Sequence, residues 1–212
     1  MDNQGKIWYG KFGTDQMYRN LHKDFESWNN YYKERFGKTK LELNNLFLKK
    51  INRKIRILEI GCNVGYQLNC LNKMGFKNLY GIELQSLCIK NLKKKFKFIN
   101  LVQGDGNNIP FKKNFFDLVF TSNVLIHIHP SNISHFMSEM YRVTSKWIWC
   151  FEYYSKKYEN VNYRNHKNLL WKTDFSKKFI STFTDLKIQK EILFKSLISN
   201  KEIDSMFLLK KK

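Results

Sequence analysis

The chain has 212 residues, 42% hydrophobic and 16% aromatic, enough to bury one globular core and too apolar for a disordered segment. Its 38 Lys and Arg against 18 Asp and Glu give a net charge of +20. The lysines are spread through nearly every segment instead of forming one stripe, which disfavours a nucleic-acid track and favours attraction to an anionic small molecule. Abundant Asn, Phe and Ile with only two Pro point to a compositional bias behind part of that charge. No apolar run of about 18 residues marks a membrane span, and the start, Met1 to Lys6, lacks an export signal core. A cytoplasmic location is therefore expected. Cys62, Cys70, Cys88 and Cys150 show no C-x-x-C spacing. They read as free buried thiols, and no metal site is expected.

In chain order, residues 8–50 place aromatic and aliphatic side chains at helical spacing: Phe25, Trp28, Tyr32 and Phe36, then Leu43, Leu46 and Phe47. Gly37 with Lys38-Thr39 marks a break between two helices. This predicts a helical cap over 1–54, ahead of a sheet domain over 55–212. From Arg56 strands and helices alternate, the signature of a Rossmann-like, doubly wound α/β sheet. Strands are expected at 56–59, 78–82, 99–103, 116–121, 147–153, 186–193 and 203–209. Helices are expected at 65–74, 85–95, 132–143 and 174–183, the third capped by Ser131. The last two strands have no helical pattern between them, so a hairpin is predicted to add one antiparallel strand to an otherwise parallel seven-stranded sheet.

Ile57-Leu58-Glu59-Ile60-Gly61-Cys62-Asn63-Val64-Gly65 is a strand that breaks into a glycine turn before a helix. Such a junction forms a nucleotide-type cofactor site at the end of a parallel strand. About 20 residues on, a second strand ends at Glu83, where a carboxylate can accept from ribose hydroxyls. The G-x-G-x-x-G dinucleotide fingerprint is missing, which disfavours a nicotinamide dehydrogenase. Ser122-Asn123-Val124-Leu125 stands where a base-amine methylase would carry N/D-P-P-Y/F, which argues against methylation of a base amine.

The acid-x-Gly-x-x-x-Gly pattern at Glu59, Gly61 and Gly65 resembles the first motif of class I S-adenosylmethionine-dependent methyltransferases. That resemblance implies a cofactor with its methionine end beside the loop at Asn63 and its ribose on Glu83. Asp105 would then accept from the adenine amino group, with Gly104, Gly106 and Asn107 supplying contacts. Asn123 to His129 would face the transferring methyl group. His127 is the leading general-base candidate, and His129 is open between base and helix-capping roles. A base matters only if the acceptor is an hydroxyl, because methyl transfer from a sulfonium gains much from alignment alone. The irregular polar and aromatic stretch 158–175 suits an acceptor lid, with Arg164 able to grip a carboxylate or phosphate.

Four segments narrow the resemblance. Trp8-x-Gly10-x-Phe12-Gly13 with Tyr18-Arg19-Asn20, the 58–65 loop, 120–128, and Glu152-Tyr153-Tyr154-Ser155 followed by Tyr163-Arg164-x-His166 are similar to the methylases associated with pseudaminic acid biosynthesis. The chain departs from that family at Asn123, in the lysine-rich loop after Tyr154, and in its basic tail. The resemblance implies transfer from S-adenosyl-L-methionine, leaving S-adenosyl-L-homocysteine, to an hydroxyl of an acidic nonulosonic-type sugar or sugar nucleotide in glycan biosynthesis. It makes Tyr18, Arg19 and Asn123 cofactor-side candidates. Glu152 and His166 join His127 as catalytic candidates, and Tyr153, Arg164 and Trp171 are substrate-side candidates. The rivals are an RNA methyltransferase, suggested by the charge, and a cofactor-binding protein without turnover.

Overall fold

The computed structural model describes residues 3–212; Met1 and Asp2, at the start of the expected cap, lie outside them. The cap contains four helices where two were expected: α1 (Asn3–Tyr9), α2 (Lys11–Arg19), α3 (Phe25–Phe36) and α4 (Lys40–Leu48). The break between the last two is built as the sequence implies. Gly37 takes φ +73 to end α3, and Thr39 and Glu42 close a reciprocal capping box at the start of α4.

The sheet then follows as β1 (Arg56–Ile60), α5 (Tyr66–Lys73), β2 (Asn78–Glu83), α6 (Ser86–Lys95), β3 (Ile99–Gln103), β4 (Phe116–Ser122), a 3-10 turn (Leu125–His127), α7 (Ile133–Val143) and β5 (Thr144–Tyr153). After it come β6 (Glu159–Asn160), β7 (Trp171–Lys172), α8 (Phe175–Thr182), β8 (Leu186–Lys195) and β9 (Ile203–Lys211). The order β3-β2-β1-β4-β5-β9-β8 makes one seven-stranded sheet. Only β9 runs against its neighbours, pairing antiparallel with both β5 and β8. The Rossmann-like sheet with one antiparallel strand is therefore as expected.

Alternation along the strands sends side chains to two buried layers. Ile57, Leu118, Phe120 and Phe151 pack with Leu43, Phe47, Leu68 and Leu71 of α4 and α5. Leu58, Val119, Ile148 and Phe207 pack with Phe136, Met137, Met140 and Phe179 of α7 and α8. Arg35 ties α3 to β9: its guanidinium donates to Glu202 at 2.9 Å and to the buried Asp204 at 3.3 Å. All four cysteines are buried and free. Among the described residues no helix is long and apolar enough to cross a membrane.

Two local expectations are corrected. Ser131 does not cap α7: Asn132 holds the N-cap position without a side-chain bond to the helix backbone, and Ser131 Oγ meets His129 Nδ1 at 2.7 Å. The stretch after Tyr154 is not wholly irregular, because β6 and β7 form a short antiparallel ribbon.

Candidate active site

The strand order reverses between β1 and β4, opening the crevice where parallel sheets bind ligands. A cavity of about 550 Å³ lies there, within the range that holds small-molecule ligands. Its floor is the loop after β1. Gly61 and Gly65 adopt φ +72 and +75, which only glycine takes without strain, and Asn63 joins them at φ +42. The N–H groups of Gly61 and Cys62 donate to Ile82 O at 2.8 and 3.1 Å, fastening the loop to β2.

Glu83 ends β2 and is buried. Its Oε2 accepts from Asn63 N at 2.8 Å and its Oε1 from Gln85 N at 2.9 Å. Each oxygen keeps a further acceptor site for a ligand hydroxyl. Burial raises this carboxyl's pKa above its ordinary value, opposed by the backbone N–H groups. Glu59 is 3% exposed, and its Oε2 has no hydrogen-bond partner. Burial holds it well above the ordinary carboxylate range. A buried acceptor without a donor costs stability, and a cationic ligand group would satisfy it.

Asp105 closes a turn by accepting from Asn107 N and Nδ2 through Oδ1, at 2.9 and 3.0 Å. That leaves Oδ2 for a ligand amine; Gly104 and Gly106 line the cavity beside it. Asn123, at φ +57, also lines the cavity, and its buried Oδ1 is unpartnered. The unmet acceptors at Glu59 and Asn123, with the spare acceptor sites at Glu83 and Asp105, fit a ligand with an ammonium, a ribose and an amino-purine.

His127 stands at the end of the 3-10 turn and lines the cavity. Its Nδ1 lies 2.7 Å from Leu169 O. A carbonyl only accepts, so the proton sits on Nδ1 and Nε2 carries the free lone pair. Burial pulls the imidazole pKa down to about 4, so the ring is neutral near pH 7. The rings of Trp8 and Tyr163 flank it at 4.6 and 5.1 Å. Tyr153, Arg164 and Arg19 line the same cavity.

The other expected residues stand off the cavity wall. Glu152 is fully buried; its oxygens accept from Val124 N at 3.3 Å and Ile126 N at 3.4 Å, so it braces the segment carrying Asn123 and His127. Burial raises its pKa to about 7. His166 is exposed in a turn and sets its ring edge against Phe12 at 5.1 Å. Tyr18 is 59% exposed and does not line the cavity. Trp171 is buried in β7, edge-on to His129 at 5.3 Å, so its size serves packing. His129 accepts from Ser131 N through Nδ1 and shapes the start of α7.

Gln85 and Gln16, which belong to no motif, join motif residues of the cap to complete the roof. Gln85 Nε2 donates to Trp8 O and, at 3.3 Å, to Gly10 O. Asn20 Nδ2 donates to Asn63 Oδ1 at 3.3 Å, and Tyr163 Oη to Gln16 Oε1 at 3.1 Å. The cap is thus latched to the cofactor loops themselves. A Cβ on Gly13 would overlap the Trp8 carbonyl and the Gln85 amide, so only glycine permits this approach. Trp28, Tyr31, Tyr32 and Tyr66 add an aromatic wall. Trp28 and Tyr32 were visible only as core spacing. Among the described residues no group of three His, Cys, Asp or Glu could hold a metal ion.

Residues 58–147 match a protein family described as a methyltransferase domain. The magnesium protoporphyrin IX methyltransferase of Synechocystis PCC 6803, with bound SAM, is similar over 100% of this chain and 99% of its own, at 13% identity and TM-score 0.71. A SAM-dependent methyltransferase from Aquifex aeolicus is similar over 94% of this chain and 99% of its own, at 16% identity and TM-score 0.64. The cyclase SpnF is similar over 81% and 80%, at 11% identity and TM-score 0.64. No curated protein sequence matches the chain.

Proposed function

We propose that this chain is a class I S-adenosylmethionine-dependent methyltransferase, a reading supported by the methyltransferase-domain match, and that it methylates an hydroxyl of a small anionic acceptor, of the acidic-sugar or sugar-nucleotide class. The observation that carries this reading is His127, a neutral imidazole with an unprotonated Nε2, in a cavity wall that also includes Arg19 and Arg164. An hydroxyl acceptor must lose a proton, and an unprotonated imidazole nitrogen can accept it. The two guanidiniums, always charged, suit a carboxylate or phosphate on the same molecule. A neighbouring groove of about 350 Å³, lined by Lys156, Lys157, Lys172 and Lys201, adds to the positive field; Lys172 Nζ lies 5.4 Å from the Tyr153 ring.

In this reading Glu59, Asn63, Glu83 and Asp105 hold the cofactor, with Gly61, Gly65, Gly104 and Gly106 letting the backbone approach. When bound, the cofactor supplies a sulfonium methyl group open to in-line displacement. Arg164 and Tyr153 orient the acceptor, His127 Nε2 takes the hydroxyl proton, and Glu152 keeps the 123–127 segment in place. The cap, latched through Gln85, Asn20 and Tyr163, excludes water.

The test is mass spectrometry of incubations with S-adenosylmethionine and nonulosonic-acid sugars, including nucleotide-activated forms. A product heavier by one methylene, formed with S-adenosylhomocysteine, supports the reading. Cofactor binding with methylation of RNA and of none of the sugars would overturn it.

A further inference from the structure

The residues around the cavity divide their unsatisfied polar atoms by kind. In the sheet domain Glu59 Oε2, Gln67 Oε1, Asn107 Oδ1 and Asn123 Oδ1 are buried without a hydrogen-bond partner, all of them acceptors. In the cap, α1 contributes Gln4 Nε2 and Trp8 Nε1, also buried and unpartnered, and both are donors. An ammonium, ribose hydroxyls and a purine amine bring hydrogens to the first group. The second group needs a lone pair.

Gln4 and Trp8 stand four positions apart and share one face of α1. Gln4 Oε1 accepts from His129 N at 2.8 Å. A backbone N–H only donates, so the oxygen end of the amide is fixed there and the NH₂ end is left unmet. Trp8 sets its ring 4.6 Å from His127 and 5.1 Å from Phe12, and its carbonyl is held by Gln85 Nε2. A buried indole N–H ordinarily has a partner, and an unmet donor carries the full cost of its lost hydration. Both residues line the cavity, so a ligand there can supply what the protein does not. The cofactor's own carboxylate belongs at its methionine end, by Glu59 and Asn63. Helix α1 instead meets the 127–129 segment beyond β4 and Gln85 beyond β2.

We propose that Gln4 and Trp8 are specificity-determining residues, a donor pair that holds an unprotonated oxygen of the methyl acceptor, carboxylate or carbonyl, beside His127. The pair favours an acceptor whose reacting hydroxyl lies close to such an oxygen, as in an α-hydroxy acid or an acidic sugar. It disfavours an ammonium or an NH₂ group, which would set donor against donor. This assignment rests on the hydroxyl-acceptor reading, whereas acetate probes the pair without any sugar.

The experiment is heteronuclear NMR of protein saturated with S-adenosylhomocysteine and titrated with acetate, a bare carboxylate. The indole N–H resonance absent from W8F identifies Trp8, and in wild type it should shift saturably. Gln4→Glu keeps an oxygen for His129 N and puts a second oxygen where the NH₂ stood. Read at about pH 8, above the carboxylate range, it should weaken acetate binding by about tenfold or more. W8F, followed through the Gln4 side-chain amide, should weaken it about three- to tenfold, the loss of one neutral hydrogen bond. Calorimetry should show both variants binding S-adenosylhomocysteine with wild-type affinity. A Trp8 resonance that acetate does not move overturns the inference. So does a folded W8F or Q4E protein that binds S-adenosylhomocysteine more weakly, since the donors would then serve the cofactor. If acetate moves Trp8 but no nonulosonic sugar is methylated, the donor pair stands and the sugar reading falls.

Discussion

Replacing Glu83 with Gln isolates the cofactor assignment better than truncation does. Both carboxylate oxygens accept backbone N–H groups, from Asn63 at 2.8 Å and Gln85 at 2.9 Å. A glutamine has one carbonyl oxygen, so its NH₂ must face one of those donors whichever way it turns. The isostere therefore loses one charge-assisted bond, about 1.5–3 kcal/mol, and sets donor against donor. It also withdraws the negative charge offered to a ribose hydroxyl. Part of that energy appears in folding and part in binding, so Kd for S-adenosylhomocysteine should rise about ten- to a hundredfold. Calorimetric titration reads the affinity, and urea unfolding on the same preparation reads the stability. Because Asn63 belongs to the glycine loop, binding should weaken even if the ligand touches only one oxygen. A folded E83Q protein with wild-type affinity would sink the assignment of Glu83 to the ribose.

Three further predictions address the rest of the site. His127→Asn should lower turnover of an hydroxyl acceptor by about 10²–10⁴ and leave cofactor affinity unchanged, as steady-state kinetics beside calorimetry would show; equal loss of both would assign the ring to packing. Burial depresses the His127 pKa to about 4, so between about 6.5 and 4 the unfolded chain takes a proton that the folded one refuses. Stability should fall with pH in that window, and H127N should lose that part of the dependence in acid-titrated denaturant melts. Gly13→Ala drives a Cβ into the Trp8 carbonyl and Gln85 amide; overpacking of about 1–3 kcal/mol should loosen the cap, seen as faster hydrogen exchange over residues 3–20 and a shorter cofactor residence time. Glu152→Leu leaves Val124 N and Ile126 N without acceptors, at about 1–3 kcal/mol each. Turnover should drop much further than cofactor affinity, and the reverse split would place Glu152 on the cofactor side.

What the sequence made legible follows from how each feature is encoded. Strands buried on two faces are written as short apolar runs, so the positions of β1, β2, β4, β5 and β9 could be read within a few residues. The turn after β1 is written in residue types, because Gly61 and Gly65 at positive φ have few substitutes. Contacts made by ordinary side chains over long sequence distances carry no such mark. Gln85 is one polar residue among many until α1 and α2 fold back onto it, and Lys40 looks like any solvated lysine until Tyr32 and Phe151 close over it. The ribbon β6–β7 is too short to show a period, and the intervening turn uses Arg164, Asn165 and Asn168 at positive φ with no glycine to announce it.

The same logic explains why Glu152 and Trp171 stand off the cavity wall while Glu59, Asn63, Glu83 and Asp105 line it. A residue in a glycine loop faces the ligand because the backbone itself does, so naming Asn63 or Asp105 needs only the loop's position. At the end of a strand the facing depends on the parity of a single position. Tyr153 lines the cavity, whereas its neighbour Glu152 points into the protein and takes up the N–H groups of the next loop. Beyond β5 the chain must also cross the sheet edge to reach α8, and Trp171 spends its bulk there against His129. Reactive residue types near a crevice therefore divide into those that meet the ligand and those that hold the former in place. In this chain the second group, Glu152 and Gln85, is set by contacts between segments far apart in sequence.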